Sequence, residues 1–128
     1  MFIVMEGLPR DVLGIEATGK ITHADYQDIL IPMAESAMAK GRAKMLFVAG
    51  PDMTGISLEA LWDDAAFGMR HWRDVGQVAV VTDHAWLRGA ASLFTPFFPG
   101  EVRIFSLFEL AAAKAWITAA SHGPPTTS

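Results

Sequence analysis

The sequence predicts a single α/β domain built on a mostly parallel five-stranded sheet. Two observations carry this prediction: candidate strands alternate with amphipathic helices after an opening pair of strands, and the run Val78–Val81 is continuously apolar. A strand without polar alternation suits the centre of a parallel sheet, where both faces are covered. An initial hairpin followed by alternating strands and helices predicts one antiparallel edge strand beside four parallel strands.

The predicted opening hairpin pairs strands at residues 2–6 and 12–17. Glycine and proline lie in the short connection between them. Such a connection can join antiparallel strands but is too short for a parallel crossover. The hairpin therefore supplies the antiparallel edge strand of the sheet.

A first helix is predicted from Thr22, because Thr22 and Asp25 have the spacing of a capping box. It should end at Gly41, a residue typical of helix C-termini. Pro32 lies inside the helix, where it removes one backbone hydrogen bond, and it should bend or break the helix near residues 28–30. The predicted buried stripe consists of Tyr26, Ile29, Leu30, Met33 and Ala37.

The third predicted strand, residues 43–49, leads into a loop at residues 50–55 and then into a long helix capped by Ser57. A loop at the carboxyl end of a strand is the usual place for function in an open parallel sheet. Helical spacing gives that helix one core stripe: Leu58, Leu61, Trp62, Ala65, Met69 and Trp72.

The remaining pattern predicts a strand at 77–82, a helix from Asp83 to about Phe94, and a strand at 101–105. Prolines 96 and 99 end the helix. Ser106 and Glu109 have capping-box spacing for a last helix. Its core stripe is Leu107, Leu110, Ala113 and Ile117. Residues 1–120 are expected to form one domain, and the polar tail 121–128 is expected to be disordered.

Composition limits the classes of function. The chain has 128 residues, a net charge of -4 and no cysteine. Disulfides, thiolate metal sites and a cysteine nucleophile are therefore excluded, and the lack of a basic cluster argues against nucleic-acid binding. The apolar opening is too short for a signal peptide, and no apolar run reaches a membrane span. A cytoplasmic protein is expected, and the hydrophobic fraction of 52% leaves room for a large core or for an apolar surface that meets a partner.

A set of short motifs, in a fixed order, resembles the bacterial SpoIIAA-like family, a branch of the STAS-like folds that is also similar to the lipid-binding domain of CRAL-TRIO proteins. The resemblance extends over nearly the whole chain as far as Ile117. The motifs are Gly19-Lys20-Ile21-Thr22, Asp25-Tyr26, Pro32, Leu61-Trp62-Asp63-Asp64, Phe67-Gly68, Ala79-Val80-Val81-Thr82-Asp83, Trp86, Pro96-Phe97, Glu101-Val102-Arg103-Ile104-Phe105 and Ala115-Trp116.

The resemblance implies a STAS-like βα superhelix in which successive strands are adjacent and the helices stack on one face of the sheet. It also implies a small cytoplasmic protein without known catalytic residues. No cofactor or metal is expected. Hydrophobic ligand binding between helices and sheet, with reversible membrane association, is the function usually suggested for such proteins. The STAS antagonists of anti-sigma factors instead switch by phosphorylation of a serine at a strand-to-helix loop. Thr54 and Ser57 are hydroxyls in that region of this chain, although the expected serine motif is not recognisable.

Two stretches are candidates for a ligand site. On the long helix, Asp64, Phe67 and His71 lie opposite the core stripe, where they form either a polar-rimmed packing surface or a pocket. Asp64 and His71 are two helical turns apart, roughly 10 Å, which is too far for a catalytic pair or shared metal ligands.

The second stretch, residues 86–100, carries more aromatic surface than one buried helix face needs, with Arg88 as its only charge. It forms either an all-buried helix or an apolar cover that opens. The predicted ligand-binding residues are Phe67, His71, Trp86, Leu87, Phe94, Phe97 and Phe98, with Asp64 as polar rim.

The sequence thus predicts a non-enzymatic binding module for a lipid-like or other hydrophobic molecule. The alternative is a protein-interaction module related to the anti-sigma-factor antagonists. The two are distinguished by whether a hydroxyl is displayed in the loop 50–57 or a cavity lies beneath residues 86–98. A monomer and a homodimer are both compatible with the pattern.

Overall fold

A computed structural model describes most of the chain. The residues described are 1–9, 11–39, 41, 43–57, 59–60, 66, 74–97 and 100–119, with the backbone alone for Phe94 and Phe97. Most of the predicted helix 58–72, with its core stripe, and the predicted tail lie outside the described residues; residues 59, 60 and 66 are helical.

The five strands form one sheet in the order of the chain, β1-β2-β3-β4-β5. Strand β1 pairs antiparallel with β2, and the other neighbouring strands are parallel. This arrangement confirms the predicted mixed sheet with its antiparallel edge strand. The strands are β1 Phe2–Val4, β2 Val12–Ile21, β3 Ala43–Ile56, β4 Val75–Thr82 and β5 Glu101–Phe105.

The helical segments whose bounds the structure gives follow β2, β4 and β5. Capping boxes start two of them, as predicted: Asp25 Oδ2 accepts from the Thr22 N–H at 2.8 Å, and Glu109 Oε1 accepts from the Ser106 N–H at 2.8 Å. The segments are α1 His23–Asp25, a π turn Tyr26–Leu30, α2 Ile31–Met38, α3 Ala85–Phe94, a 3₁₀ turn Thr95–Phe97, a 3₁₀ turn Leu107–Glu109 and α4 Leu110–Thr118.

The sheet separates two apolar cores. Alternate residues of β3 point to opposite faces, so Leu46 and Val48 belong to one core and Met45 and Phe47 to the other. Ala113 and Ile117 of α4, both fully buried, complete the Leu46 side. Tyr26, Leu30 and Ala34 from the first helical segments complete the other side, and Ala60 and Leu87 also pack there.

The expectation that all helices lie on one face is therefore wrong for α4. Strands are added in one direction along the sheet, so right-handed crossovers place every connecting helix on the same face. Helix α4 follows β5 and connects no two of the described strands, and it packs on the opposite face. There the Lys44 ammonium donates to the Ala119 carbonyl just beyond the helix at 3.1 Å.

Pro32 disturbs the first helix where the sequence predicts it. The segment before it is a π turn, in which the Ile31 N–H donates to the Tyr26 carbonyl, five residues back. The wide turn gives the inward residues a spacing of four, so Ala34 is buried after Leu30 and Met33 is 37% exposed. The predicted stripe is wrong at Met33 for this reason.

Strand β3 is longer than predicted, and the predicted loop 50–55 is part of it. It continues because β2 also continues, with Ile21 paired to Ile56 after a bulge. The pairing of β3 with β4 stops at Ala49. Pro51 therefore lies where β3 has a strand neighbour on one side only, and such a position tolerates a residue that has no N–H to donate.

Candidate functional site

Helix α3 is held at its start by polar contacts to the carboxyl end of β4 and to Gly50 of β3, just after the pairing of β3 with β4 ends. The Thr82 hydroxyl oxygen accepts from the His84 N–H at 3.1 Å, and Arg88 Nη1 donates to the Thr82 carbonyl at 3.0 Å. His84 Nε2 lies 2.9 Å from the Gly50 carbonyl oxygen. Because a carbonyl only accepts, Nε2 carries the hydrogen in this contact. These bonds fix the orientation of α3 relative to the sheet.

The same end of the sheet is linked to the last strand. Asp83 Oδ1 accepts a hydrogen bond from the Leu107 N–H at 3.2 Å, which joins the exit of β4 to the turn after β5. Sequence reasoning missed both this contact and that of His84. The available signal was the polar triplet Thr82-Asp83-His84 between a buried strand and an apolar helix.

Helical spacing gives α3 two neighbouring apolar stripes, one with Leu87 and Ala91 and the other with Trp86, Ala90 and Leu93, and their surroundings differ. Leu87 packs against the core, and Ala91 is half-buried. Trp86 is 49% exposed and Leu93 is 75% exposed. Gly89 and Ala90 lie between them on the same side and are exposed, and an added Cβ at Gly89 would have no atom of the described residues within 4 Å. One face of α3 therefore presents an apolar surface to solvent, which we name the α3 stripe: Trp86, Gly89, Ala90 and Leu93.

The predicted ligand-binding residues do not all come together in the described part of the chain. Trp86 lies on the outer face of α3, whereas Leu87 packs inward. Phe94 ends α3, and Phe97 ends the following 3₁₀ turn. The other predicted residues lie outside the described residues: Asp64, Phe67, His71 and Phe98.

The two candidate regulatory hydroxyls differ in their environment. Thr54 is exposed on the extension of β3. Ser57 is half-buried, and its hydroxyl oxygen accepts from the Ala60 N–H at 3.1 Å, which confirms the predicted helix cap. The Ser57 N–H donates to the Ile21 carbonyl at 2.9 Å.

Charge is sparse at this surface. Within the described ranges, no three His, Asp or Glu side chains are grouped so that they could hold a metal ion. Arg88 is half-buried, and among the contacts of the described residues its guanidinium is bonded to the Thr82 carbonyl and not to a carboxylate. None of the helices in the described part of the chain is long and apolar enough to cross a membrane.

Comparison with known proteins agrees with this architecture. A family model described as SpoIIAA-like matches residues 12–118. The chain belongs to the SpoIIAA-like family. No curated protein matches the chain.

Among solved structures, the SpoIIAA-like chain is similar to an uncharacterised protein of the DUF3478 family with a SpoIIAA-like fold, from Shewanella loihica PV-4. The two sequences are 28% identical, the match covers 91% of this chain and 95% of that one, and the TM-score is 0.67. The resemblance predicted from the sequence motifs is thereby confirmed.

Proposed function

We propose that this SpoIIAA-like protein is a non-enzymatic binding module that takes a lipid-like or other hydrophobic molecule on the α3 stripe. The observation that carries the proposal is the exposure of Trp86 and Leu93, at 49% and 75%, on one face of one helix. Single exposed apolar residues are ordinary, but a contiguous apolar surface is typical of a binding site.

The stripe has the shape expected for an extended apolar ligand. Trp86 and Leu93 stand about two helical turns apart, with the small residues Gly89 and Ala90 between them. An alkyl chain lying over the small residues would contact both large side chains. Burying a fully exposed large apolar side chain contributes about 1.5–3 kcal/mol. Because Trp86 and Leu93 are already partly buried, the two together contribute about 2–4 kcal/mol, which is less than half of the roughly 8 kcal/mol of a micromolar affinity, and neighbouring contacts supply the rest.

A membrane surface is the natural source of such a molecule, and we place the protein in the cytoplasm with reversible contact to that surface. The exposed positions of α3 carry no charge, and the whole chain has a net charge of -4. Electrostatic attraction to anionic lipids would therefore contribute little. Apolar burial would dominate, so neutral and anionic vesicles should bind about equally well.

The test measures binding of oleate by calorimetry and flotation with phosphatidylcholine vesicles. Leu93→Ser and Trp86→Ser remove exposed surface and should leave the fold intact. Each should weaken binding by about tenfold, which corresponds to about 1.4 kcal/mol. Met33→Ser is the matched control, since Met33 is an exposed apolar residue on α2.

Equal losses in the α3 variants and in the Met33 control would show that the α3 stripe is not the site. If the wild-type protein binds neither oleate nor vesicles, the proposal fails altogether. Saturating ligand should also raise the melting temperature by several degrees, because it binds the folded state alone.

The alternative is a protein-interaction module that switches by phosphorylation. Ser57 lies where a helix begins, with its hydroxyl on the Ala60 N–H, and a phosphate at a helix N-terminus is stabilised by the helix dipole. Thr54 is the more accessible hydroxyl. Ser57→Asp and Thr54→Asp proteins, used as baits beside the wild type, should differ in captured partner if this alternative is correct, and identical capture by all three would count against it.

A further inference from the structure

The exposed surface of α3 is complementary to itself. Its four residues follow i, i+3, i+4, i+7 spacing, with a large side chain at each end and two small residues between them. A twofold axis midway between Gly89 and Ala90 would place Trp86 of each copy against Leu93 of the other. It would also place Gly89 against Ala90 at the point of closest approach.

Within the described part of the chain, nothing packs so closely on Gly89 that it requires glycine. An added Cβ there would meet no atom of the described residues within 4 Å. Glycine also weakens a helix interior relative to alanine. At the centre of an antiparallel helix pair, however, it lets the two backbones come close together.

Charge also favours this face for contact between copies. Each chain has a net charge of -4, so two copies repel over most of their surface. The single cation of α3, Arg88, donates to the Thr82 carbonyl instead of lying on the outer face. Contact here brings no like charges together. The exposed described positions of α3 are all uncharged: Ala85, Trp86, Gly89, Ala90, Ser92 and Leu93.

We propose that in the ligand-free protein the α3 stripe is covered by the α3 stripe of a second copy, in an antiparallel helix pair. The inference shares this surface with the proposed function, so a hydrophobic ligand and a second copy compete for it. The exposed parts of Trp86, Gly89, Ala90 and Leu93 together amount to no more than roughly 400 Å² per copy. A contact between two copies therefore falls in the weak class of interfaces, below about 1,200 Å² in total. The dimer should form in a concentration-dependent manner and dissociate when ligand binds.

The absence of cysteine from the chain allows a direct test by cross-linking. Positions 89 of two copies would flank the twofold axis, so Gly89→Cys protein should form an intermolecular disulfide under mild oxidation. Ala111→Cys is the matched control, since Ala111 is an exposed small residue on α4, on the other side of the sheet. A mixture of Trp86→Cys and Leu93→Cys proteins should cross-link to each other faster than either does to itself, which reports the antiparallel orientation.

Sedimentation velocity and oleate complete the test. Wild-type protein at about 1 mM should contain dimer, whereas Leu93→Glu protein should be monomeric. Added oleate should lower both the dimer fraction and the Gly89→Cys cross-linking rate severalfold. Equal cross-linking at positions 89 and 111, or a monomeric wild type at that concentration, would overturn the inference.

The experiment distinguishes a failure of the proposed function from a failure of the proposed dimer. Oleate binding by a protein that never dimerises would leave the proposed function in place and remove the dimer. A dimer formed through α3 in a protein that binds neither oleate nor vesicles would support the inference and remove the proposed function.

Discussion

Gly14 offers a sharp test of how the chain start packs on the sheet. It lies in β2 and is buried, and residues 5–8 fold over it: the Met5 N–H donates to the Gly14 carbonyl at 2.8 Å. A Cβ added at Gly14 would overlap Leu8 Cδ1 and approach Met5 Cβ to 3.2 Å. Gly14→Ala should therefore push the segment 5–8 away from the core that α4 completes.

The expected loss follows from two opposing effects. Forcing one extra methyl group into a packed core costs about 1–3 kcal/mol. Replacing glycine by alanine in a strand returns roughly 0.5–1 kcal/mol of conformational entropy. Leu8 Cδ1 is the end of a side chain and can rotate aside, but Met5 Cβ is fixed to the backbone. We expect Gly14→Ala to lower the free energy of unfolding by about 1–2 kcal/mol.

A double-mutant cycle in urea identifies the cause. Leu8→Ala removes the atom that the new methyl group would strike, so the loss from Gly14→Ala should shrink in the Leu8→Ala background. The coupling should be about 0.5–1 kcal/mol, which urea denaturation can resolve. Additive losses, or a Gly14→Ala protein as stable as the wild type, would refute the described packing of residues 5–8 on β2.

Three further predictions concern the sheet, the first helix and its cap. Val80 is 8% exposed at the centre of β4, so Val80→Asp should unfold the domain. The control Ile3→Asp, at a position that is 43% exposed, should be tolerated. A soluble Val80→Asp protein that melts cooperatively would contradict the burial of this strand. Pro32→Ala restores a backbone N–H but should not raise the melting temperature, because the buried side chains of the first helix pack in the positions that the π turn gives them. A clear rise in the melting temperature would show that the π turn destabilises the protein. Burial raises the pKa of Asp25, but hydrogen bonds from the Thr22 N–H and hydroxyl and the nearby α-amino group outweigh it, so the pKa lies below its usual value. The contribution of Asp25 to the free energy of unfolding is then present above about pH 4 and lost as pH falls through the lowered pKa. The wild-type and Asp25→Asn proteins should therefore differ less in their free energy of unfolding, measured in urea, as the solution is acidified. A difference that does not depend on pH would refute this prediction.

Local patterns allowed much of the fold to be predicted. The apolar run Val78–Val81 predicted β4 as an interior strand of the sheet, and β5 has the predicted bounds, Glu101–Phe105. The capping box at Ser106 and the stripe ending at Ile117 are both present in the structure. These features depend on residues close together in the chain, and so periodicity and capping were sufficient to find them.

Features that depend on pairing between residues far apart in the chain could not be predicted from the sequence. The residues Gly50 and Pro51 have the composition of a loop, but β2 provides a partner for the continued strand and β4 leaves the other side open. Met33 and Ala34 exchanged their expected exposure because one wide turn shifts the helical phase. The face chosen by α4 follows no crossover rule, so no local pattern determines it.

The candidate site could be predicted only in part. The sequence shows two equally apolar stripes on α3, and hydropathy does not distinguish the one that faces the sheet. The contacts between the start of α3 and the sheet determine which stripe faces the core. The hydrogen bonds of His84 and Arg88 orient α3 so that Leu87 points inward and Trp86 outward. Those bonds join residues as far apart as Gly50 and His84.

The position of α4 has a consequence for synthesis on the ribosome. Strands emerge in the order in which they pair, so each new strand finds its neighbour already made. The core formed by Leu46, Val48 and Val81, however, is complete only after Ala113 and Ile117, near the end of the described chain, have been synthesised. Until α4 is released, the nascent sheet exposes one apolar face, and this is the interval in which a chaperone that shields hydrophobic surface would be most useful to the protein.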